Sequence, residues 1–497
     1  MRIIKFCLIL LAIYSIFFLR KVKFDNEVNF SGDVWEYQSM AVNLVKGSGF
    51  MKTGGIIGNY HQDYKFRKEI AEVYELTLEK FERTGKAGGQ YNFYRTPGYT
   101  IFMGAIYKFF GIMPEMVKKT QLLLIVTIAA FLPYIGFSYW KKSGWIAGFI
   151  GGIVYLKQYA VNMPQNTANT YPNHIMTETL LAFTLFLLII AFIFWEKNKK
   201  PIRTFILGLI TGLNLLVKAS GIFIPLIAFI YLWRLVMKKN ISKLNLVTFV
   251  LGVIIMVLPW SYYASKISGK IIILSTQAPN VLLDNNNEYA TDGAWHPEGY
   301  SRNPDAFYNQ PEIKFLSLPA KLLSFFMAYP RMLPNMFLSK IQLGFERYVY
   351  LKMALMLIGF RLISQSVLRL LKKFGIKIYF KITEVMSLFI GLLLIYVFFI
   401  DRAFLLYITQ AFLRIDILLF GLILMIILGV LIDKKHFKID LPFPFVMLFL
   451  NYLLMTVITS GLPRLTQTID FVFILVFFKY LLSFIVKFYR EVTSRTY

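Results

Sequence analysis

The sequence is short of cysteine, histidine and charge, and each shortage removes a class of protein. Its one cysteine, Cys7, lies in the first apolar run and cannot close an internal disulfide, so a disulfide-stapled secreted scaffold is excluded. The four histidines form no zinc-type spacing with it. Charged residues fill only 16% of the 497 positions, where a soluble domain carries roughly a quarter. Acidic residues are scarcest: 27 against 54 Lys and Arg, a net charge of +27. Hydrophobic residues take the space instead, at 57%, and mean hydropathy is +0.58. Such a chain is neither disordered nor an ordinary soluble domain; it reads as an all-α polytopic membrane protein.

A helix needs about 20 apolar residues to cross the ~30 Å hydrocarbon core. Twelve stretches meet this, at about 3–20, 116–139, 144–161, 176–195, 203–218, 220–236, 245–263, 348–364, 383–400, 414–432, 442–460 and 470–487. The first resembles a signal peptide in its basic start, but Phe17, Phe18, Leu19 and Arg20 stand where small residues would mark a cleavage site, so an uncleaved span is expected. Lys141 and Lys142, then Lys197 to Arg203, Lys238 to Lys243, Arg369 to Lys381, Lys434 to Lys438 and the tail from Lys487 fall in alternate loops. The positive-inside rule puts these and both termini in the cytoplasm. The layout is a first span (1–20), a first outer loop (21–115), spans two to seven (116–263), a second outer loop (264–347), and spans eight to twelve with a basic tail (348–497).

Resolved this way, most of the +27 is topology facing anionic headgroups, and no motif supports nucleic-acid binding. The first outer loop holds twelve basic and ten acidic residues between Arg20 and Pro97 and is nearly neutral. Within it, Ile70, Tyr74, Leu78 and Phe81 recur at helical spacing between two glycine-rich hinges, as in a covering lid or a structural insertion. Glu36–Val45 and Gly98–Phe110 read as amphipathic pieces in the interface plane.

Several charged or polar groups gather on the outer side. Asp33 follows the first span by a dozen residues and precedes a helical stretch. It suits a proton acceptor for a hydroxyl, or a helix cap completed by Glu36 three residues on. Arg95, ahead of Thr96-Pro97-Gly98, presents a guanidinium fork suited to phosphate oxygens, or snorkels at the interface. His174 and Glu178 share one helix face at the mouth of the fourth span. They suit an acid, a hydroxyl contact, or two ligands of a divalent metal that lacks a clear third. Lys218 and Arg464 are further outward cations, each a partner for phosphate or for a lipid headgroup. Asn285, Asn286 and Trp295 belong to a polar, aromatic stretch suited to hydroxyl-rich ligands, or to an ordinary long loop.

Taken in order, these features resemble the GT-C membrane glycosyltransferases, in particular the family 39-like group that includes the protein O-mannosyltransferases and the lipid A aminoarabinose transferase. The residues that carry the resemblance are Asp33-x-x-x-Tyr37 followed by Ala41 to Phe50, the Arg95-x-Pro-Gly-Tyr99 box, Pro164, Thr177-Glu178, and the glycine-containing span from Gly208 to Lys218. Pro259-Trp260, the Asn285 to Trp295 stretch and Arg464 complete the set. The sequence departs from the pattern at Thr96, at Lys218-Ala219 and in the second acid, Glu36.

The resemblance implies a GT-C-like bundle of about 12 transmembrane helices, with interfacial helices in two large outer loops. It implies a polyprenyl-phosphate sugar donor, a lipid, glycan or protein acceptor, and inverting transfer at the outer face of the cytoplasmic membrane. Asp33 or Glu36 is then the base; Arg95, Lys218 and Arg464 hold the donor phosphate; Glu178, His174, Tyr37, Asn285, Asn286 and Trp295 orient substrates. No cofactor is required by this scheme, and a divalent metal is left open. The rival expectations are a glycan polymerase or ligase of similar topology, and a non-enzymatic lipid or polysaccharide transporter.

Overall fold

The computed structural model describes residues 2–21, 33–52, 90–161, 175–345, 354, 357–358, 441–459 and 467–493. The chain begins with helix α1 (Arg2–Lys21) and then α2 (Asp33–Val45). A two-residue antiparallel ladder pairs Met51 with Tyr91 and Lys52 with Gln90. Helix α3 (Pro97–Phe110) follows, then α4 (Pro114–Leu156), α5 (Thr177–Lys197), α6 (Pro201–Val217), α7 (Phe223–Met237) and α8 (Lys243–Ser268). Three of these helices, α3, α4 and α6, start on a proline, where the missing N–H costs nothing.

Straight, the 43 residues of α4 would run about 65 Å, twice the membrane core. The helix instead turns at Trp140 and Lys141, where Lys141 adopts φ 56°. Its two limbs pack side by side through small residues. A Cβ on Gly148 would lie 2.7 Å from the Cα of Pro133, and one on Gly152 would lie 2.6 Å from the Ala129 carbonyl oxygen. This is the close backbone approach that membrane helices achieve with glycine. The turn falls between the spans expected at 116–139 and 144–161.

Among the described residues, five helices are long and apolar enough to cross a membrane: Arg2–Arg20, the α4 hairpin region Pro114–Ala160, Thr177–Lys197, Ala219–Met237 and Lys243–Ser268. Shorter apolar helices, among them α6 and α13 (Phe443–Ile458), pack beside them. The last described helix is α14 (Asp470–Thr493). The spans expected at 383–400 and 414–432, nearly all of 348–364, and the helix expected at 67–83 lie outside the described residues. Apolar side chains on the outer surfaces, such as Ile13, Ile230, Ile255 and Leu258, are exposed. A water-soluble protein does not present such continuous oily faces. The chain is an all-α membrane protein.

The two ends of the bundle differ. At one end, Lys197 reaches the Tyr134 hydroxyl at 3.3 Å, Asn245 bonds the Lys199 carbonyl at 2.7 Å, and Lys479 approaches Ser143 at 3.4 Å. The basic turns at 141–142, 197–203 and 238–243 therefore lie together. The opposite end carries the first residues of α5 and α14 and the last of α6.

Residues 283–337 form a separate small core of Leu283, Ala290, Tyr308, Phe325 and Met336. Its helices are α9 (Ala278–Leu283), α10 (Pro311–Lys314), α11 (Leu318–Ala328) and α12 (Leu333–Phe345).

Candidate active site

Asp33, Glu36 and Tyr37 occupy the first turn of α2, and the i, i+3, i+4 spacing turns all three to one side. Arg95, just before α3, meets that side. Its Nη2 donates to Asp33 Oδ1 and its Nε to Glu36 Oε2 at 2.6 Å. The guanidinium lies 5.8 Å over the Tyr37 ring and 5.1 Å over the Tyr94 ring. Burial opposes the charge on Arg95, but Tyr37, Asp33 and Glu36 more than restore it. The two carboxylates occupy the Nε and Nη2 side of the fork. Nη1 bonds no protein group among the described residues.

Tyr37 is buried and packs edge-on against Tyr99 at 5.0 Å, and the Tyr99 hydroxyl donates to Gln121 Oε1 at 2.7 Å. Burial raises the Tyr37 phenol well above its ordinary range and keeps it neutral. Arg95, Asp33, Glu178 and Glu36 all act on it electrostatically, so it stands between two charged clusters.

The second cluster is held against the first by local backbone chemistry. Thr96 donates its hydroxyl to the Val217 carbonyl oxygen at 2.9 Å. A Cβ on Gly98 would sit 2.7 Å from the Leu216 carbonyl oxygen and 2.8 Å from the Val217 Cα, so only glycine lets α3 start this close to the end of α6. The next residue, Lys218, leaves the helix in an extended conformation. Its Nζ reaches Glu178 Oε1 at 2.8 Å and Thr177 Oγ1 at 3.0 Å. Glu178 lies in the first turn of α5, where the helix dipole favours an anion. Its side chain is 6% exposed, that of Lys218 20%.

The segment after α8 docks onto the same region, with the Thr276 N–H bonding the Phe93 carbonyl at 2.8 Å. Asp284 accepts from the Ser301 N–H at 2.9 Å, the Ser301 hydroxyl at 2.8 Å and the Trp295 indole at 3.3 Å. Burial pushes the Asp284 carboxyl up, against those hydrogen bonds. Trp295 is half exposed, with Arg302 5.5 Å over its ring.

Asn285 and Asn286 are buried, and their amide N–H groups go to carbonyls one turn back, those of Val281 and Leu282. Asn286 also donates to the Ile458 carbonyl at 2.7 Å. Its own oxygen receives Lys340 Nζ at 2.7 Å. Lys340 is fully buried, and burial lowers it to about 7. Both asparagines thus tie this segment to itself, and Asn286 also ties it to the end of α13, while Trp295 is half exposed.

Of the expected site residues, Asp33, Glu36, Tyr37 and Arg95 meet in one cluster, and Glu178 and Lys218 in an adjoining one. His174 and Arg464 lie outside the described residues. No group of three or more His, Cys, Asp or Glu is placed to hold a metal among the described residues.

Lys340 and Asp470 are among the buried ionisable groups that the sequence reading does not single out. Asp470 is legible only as an acid opening an apolar run, opposite Tyr155, Gln158 and Tyr159 at helical spacing. Set against known proteins, the chain matches no family model, no curated protein and no solved structure.

Proposed function

We propose that the chain is a membrane glycosyltransferase. It moves a sugar from a polyprenyl-phosphate donor to a hydroxyl acceptor at the outer face of the cytoplasmic membrane, as the resemblance to the GT-C family implies. The observation that carries the reading is the coupling of two charged clusters through one backbone contact. Arg95 with Asp33 and Glu36, and Lys218 with Glu178, sit either side of the Thr96–Val217 hydrogen bond at one end of an apolar bundle. Charged groups gathered at the mouth of membrane helices are functional by default. A lipid phosphate presents its charge at that depth with its chain among the helices.

In this reading the acceptor O–H gives its proton to Asp33 or Glu36. The acceptor oxygen attacks the anomeric carbon and the bond from that carbon to the phosphate oxygen breaks. Polyprenyl phosphate leaves and the anomeric configuration inverts. Negative charge grows on the departing phosphate, where Arg95, through its Nη1 donors, and Lys218 stabilise it. Glu178 fixes Lys218 until the phosphate arrives. Trp295, half exposed beside Arg302, offers a face for the sugar or the acceptor. Phosphate is already a good leaving group, so no separate acid is needed.

The test is sugar transfer by the purified chain in nanodiscs, from a panel of polyprenyl-phosphoryl sugars to simple alcohols and lipid acceptors. Asp33→Asn and Glu36→Gln identify the base by the loss of turnover. Translocation of the lipid between vesicle leaflets without transfer by the wild-type chain would replace this reading with transport.

A further inference from the structure

Asp470 opens the last described helix and is 2% exposed. Its Oδ2 accepts from the Tyr159 hydroxyl at 2.6 Å and from Gln158 Nε2 at 3.0 Å. Its Oδ1 accepts nothing from the described residues. The Tyr155 hydroxyl is likewise buried without a partner among the described residues, and its ring lies 4.7 Å from that of Tyr159 and 6.3 Å from that of Phe471. A buried carboxylate oxygen left without a donor is costly. Here its orientation is fixed by two donors on the other oxygen, so the open lone pairs point in a set direction.

A short polar path joins this place to the proposed active site. Two residues before Asp470, Thr468 donates to the Tyr452 hydroxyl at 2.9 Å. The neighbouring Asn451 donates to the Ser220 carbonyl at 3.1 Å, two residues beyond Lys218. Asp470 therefore lies at the same end of the bundle as the Glu178–Lys218 pair.

We propose that Asp470 Oδ1 and the Tyr155 hydroxyl form a subsite that binds a ring hydroxyl of the transferred sugar. The inference rests on the glycosyl-transfer reading. A sugar supplies the missing donor to Oδ1 and can exchange a second hydrogen bond with Tyr155, while Tyr159 and Gln158 hold the carboxylate in place. Asp470 is thus a specificity residue that touches a part of the sugar which does not react.

The experiment uses the full chain in nanodiscs. Infrared difference spectra are taken on adding a short-chain polyprenyl-phosphoryl sugar, and on adding the same prenyl phosphate without sugar. The Asp470 carboxyl band is assigned by its absence in Asp470→Asn. The expected result is a band shift with the sugar-bearing lipid alone, together with a KM for that donor raised about tenfold in Asp470→Asn at nearly unchanged kcat. Tyr155→Phe, which keeps the ring packing, should raise KM severalfold. A band unmoved by both lipids, or moved equally by both, overturns the subsite and leaves Oδ1 to an enclosed water. A sugar-dependent shift in a wild-type chain that transfers no sugar overturns the transfer reading while the subsite stands.

Discussion

Thr96 and Val217, 121 residues apart, are joined by a buried hydrogen bond from the Thr96 hydroxyl to the Val217 carbonyl. Arg95 precedes one and Lys218 follows the other. The spacing of the two cations is therefore set by backbone, and not by their long and mobile side chains. If the two cations bind one phosphate, as the proposed function has it, they need such a fixed spacing, because positioning errors of about 1 Å cost orders of magnitude in rate.

Gly98→Ala tests that spacing. The added methyl meets the main chain of Leu216 and Val217, which cannot rotate away. Overpacking of this kind costs about 1–3 kcal/mol. Expected are a lower thermal midpoint in detergent and a loss of transfer activity larger than the loss of folded protein. A midpoint and turnover equal to wild type would show that α3 and α6 can part without consequence.

Arg95→Lys keeps the charge and removes the fork. A lysine cannot hold Asp33 and Glu36 at once while directing further donors to a phosphate. The expected result is a fall of about 10²–10³ in kcat/KM for the lipid donor, with the protein still folded. Turnover within a few-fold of wild type would remove Arg95 from phosphate binding and leave it a structural clamp on α2.

Lys218→Met and Glu178→Gln are best read as a double-mutant cycle. Removing Lys218 alone leaves Glu178, whose side chain is 6% exposed, without its 2.8 Å partner. Breaking a buried pair in this way costs about 3–5 kcal/mol. The double variant should recover much of that in unfolding experiments, though not in sugar transfer. Additive losses of stability would mean that the two side chains do not interact in the folded protein.

The parts of this site differ in how far the sequence announces them. Single charges in an oily chain stand out, so Asp33, Glu36, Arg95, Glu178 and Lys218 are readable one by one. Their pairing is not, because Arg95 lies 62 residues from Asp33 and Lys218 lies 40 from Glu178, and no local periodicity links them. The break in α4 is readable from Lys141-Lys142, since two adjacent lysines end an apolar run. The closeness of its limbs follows from Gly148 and Gly152 facing Pro133 and Ala129, which only the fold reveals. Asn285 and Asn286 are recognisable as polar turn residues, yet a free amide and one bonded to the carbonyl four residues back look the same in sequence. Lys340 is an unremarkable lysine until Asn286 and Val457, 54 and 117 residues away, close around its Nζ.

Lys340 makes stability depend on pH, and the sign can be worked out. Burial lowers the folded-state amine from 10.5 to about 7, with Asn286 Oδ1 and the Val457 carbonyl as neutral partners. Between those values the unfolded chain holds a proton that the folded chain lacks. Stability contributed by this site therefore rises with pH from about 7 upward, by at most about 1.4 kcal/mol per pH unit. Below about pH 7 both states are protonated, and the dependence vanishes. Thermal midpoints of wild type and Lys340→Met in the same detergent, measured from pH 6 to 9, isolate the effect from other titrating groups. The difference between the two should narrow or reverse in favour of wild type as pH rises. A constant difference across that range would mean that the buried amine keeps its proton, held by the Asn286 and Val457 oxygens strongly enough to offset desolvation.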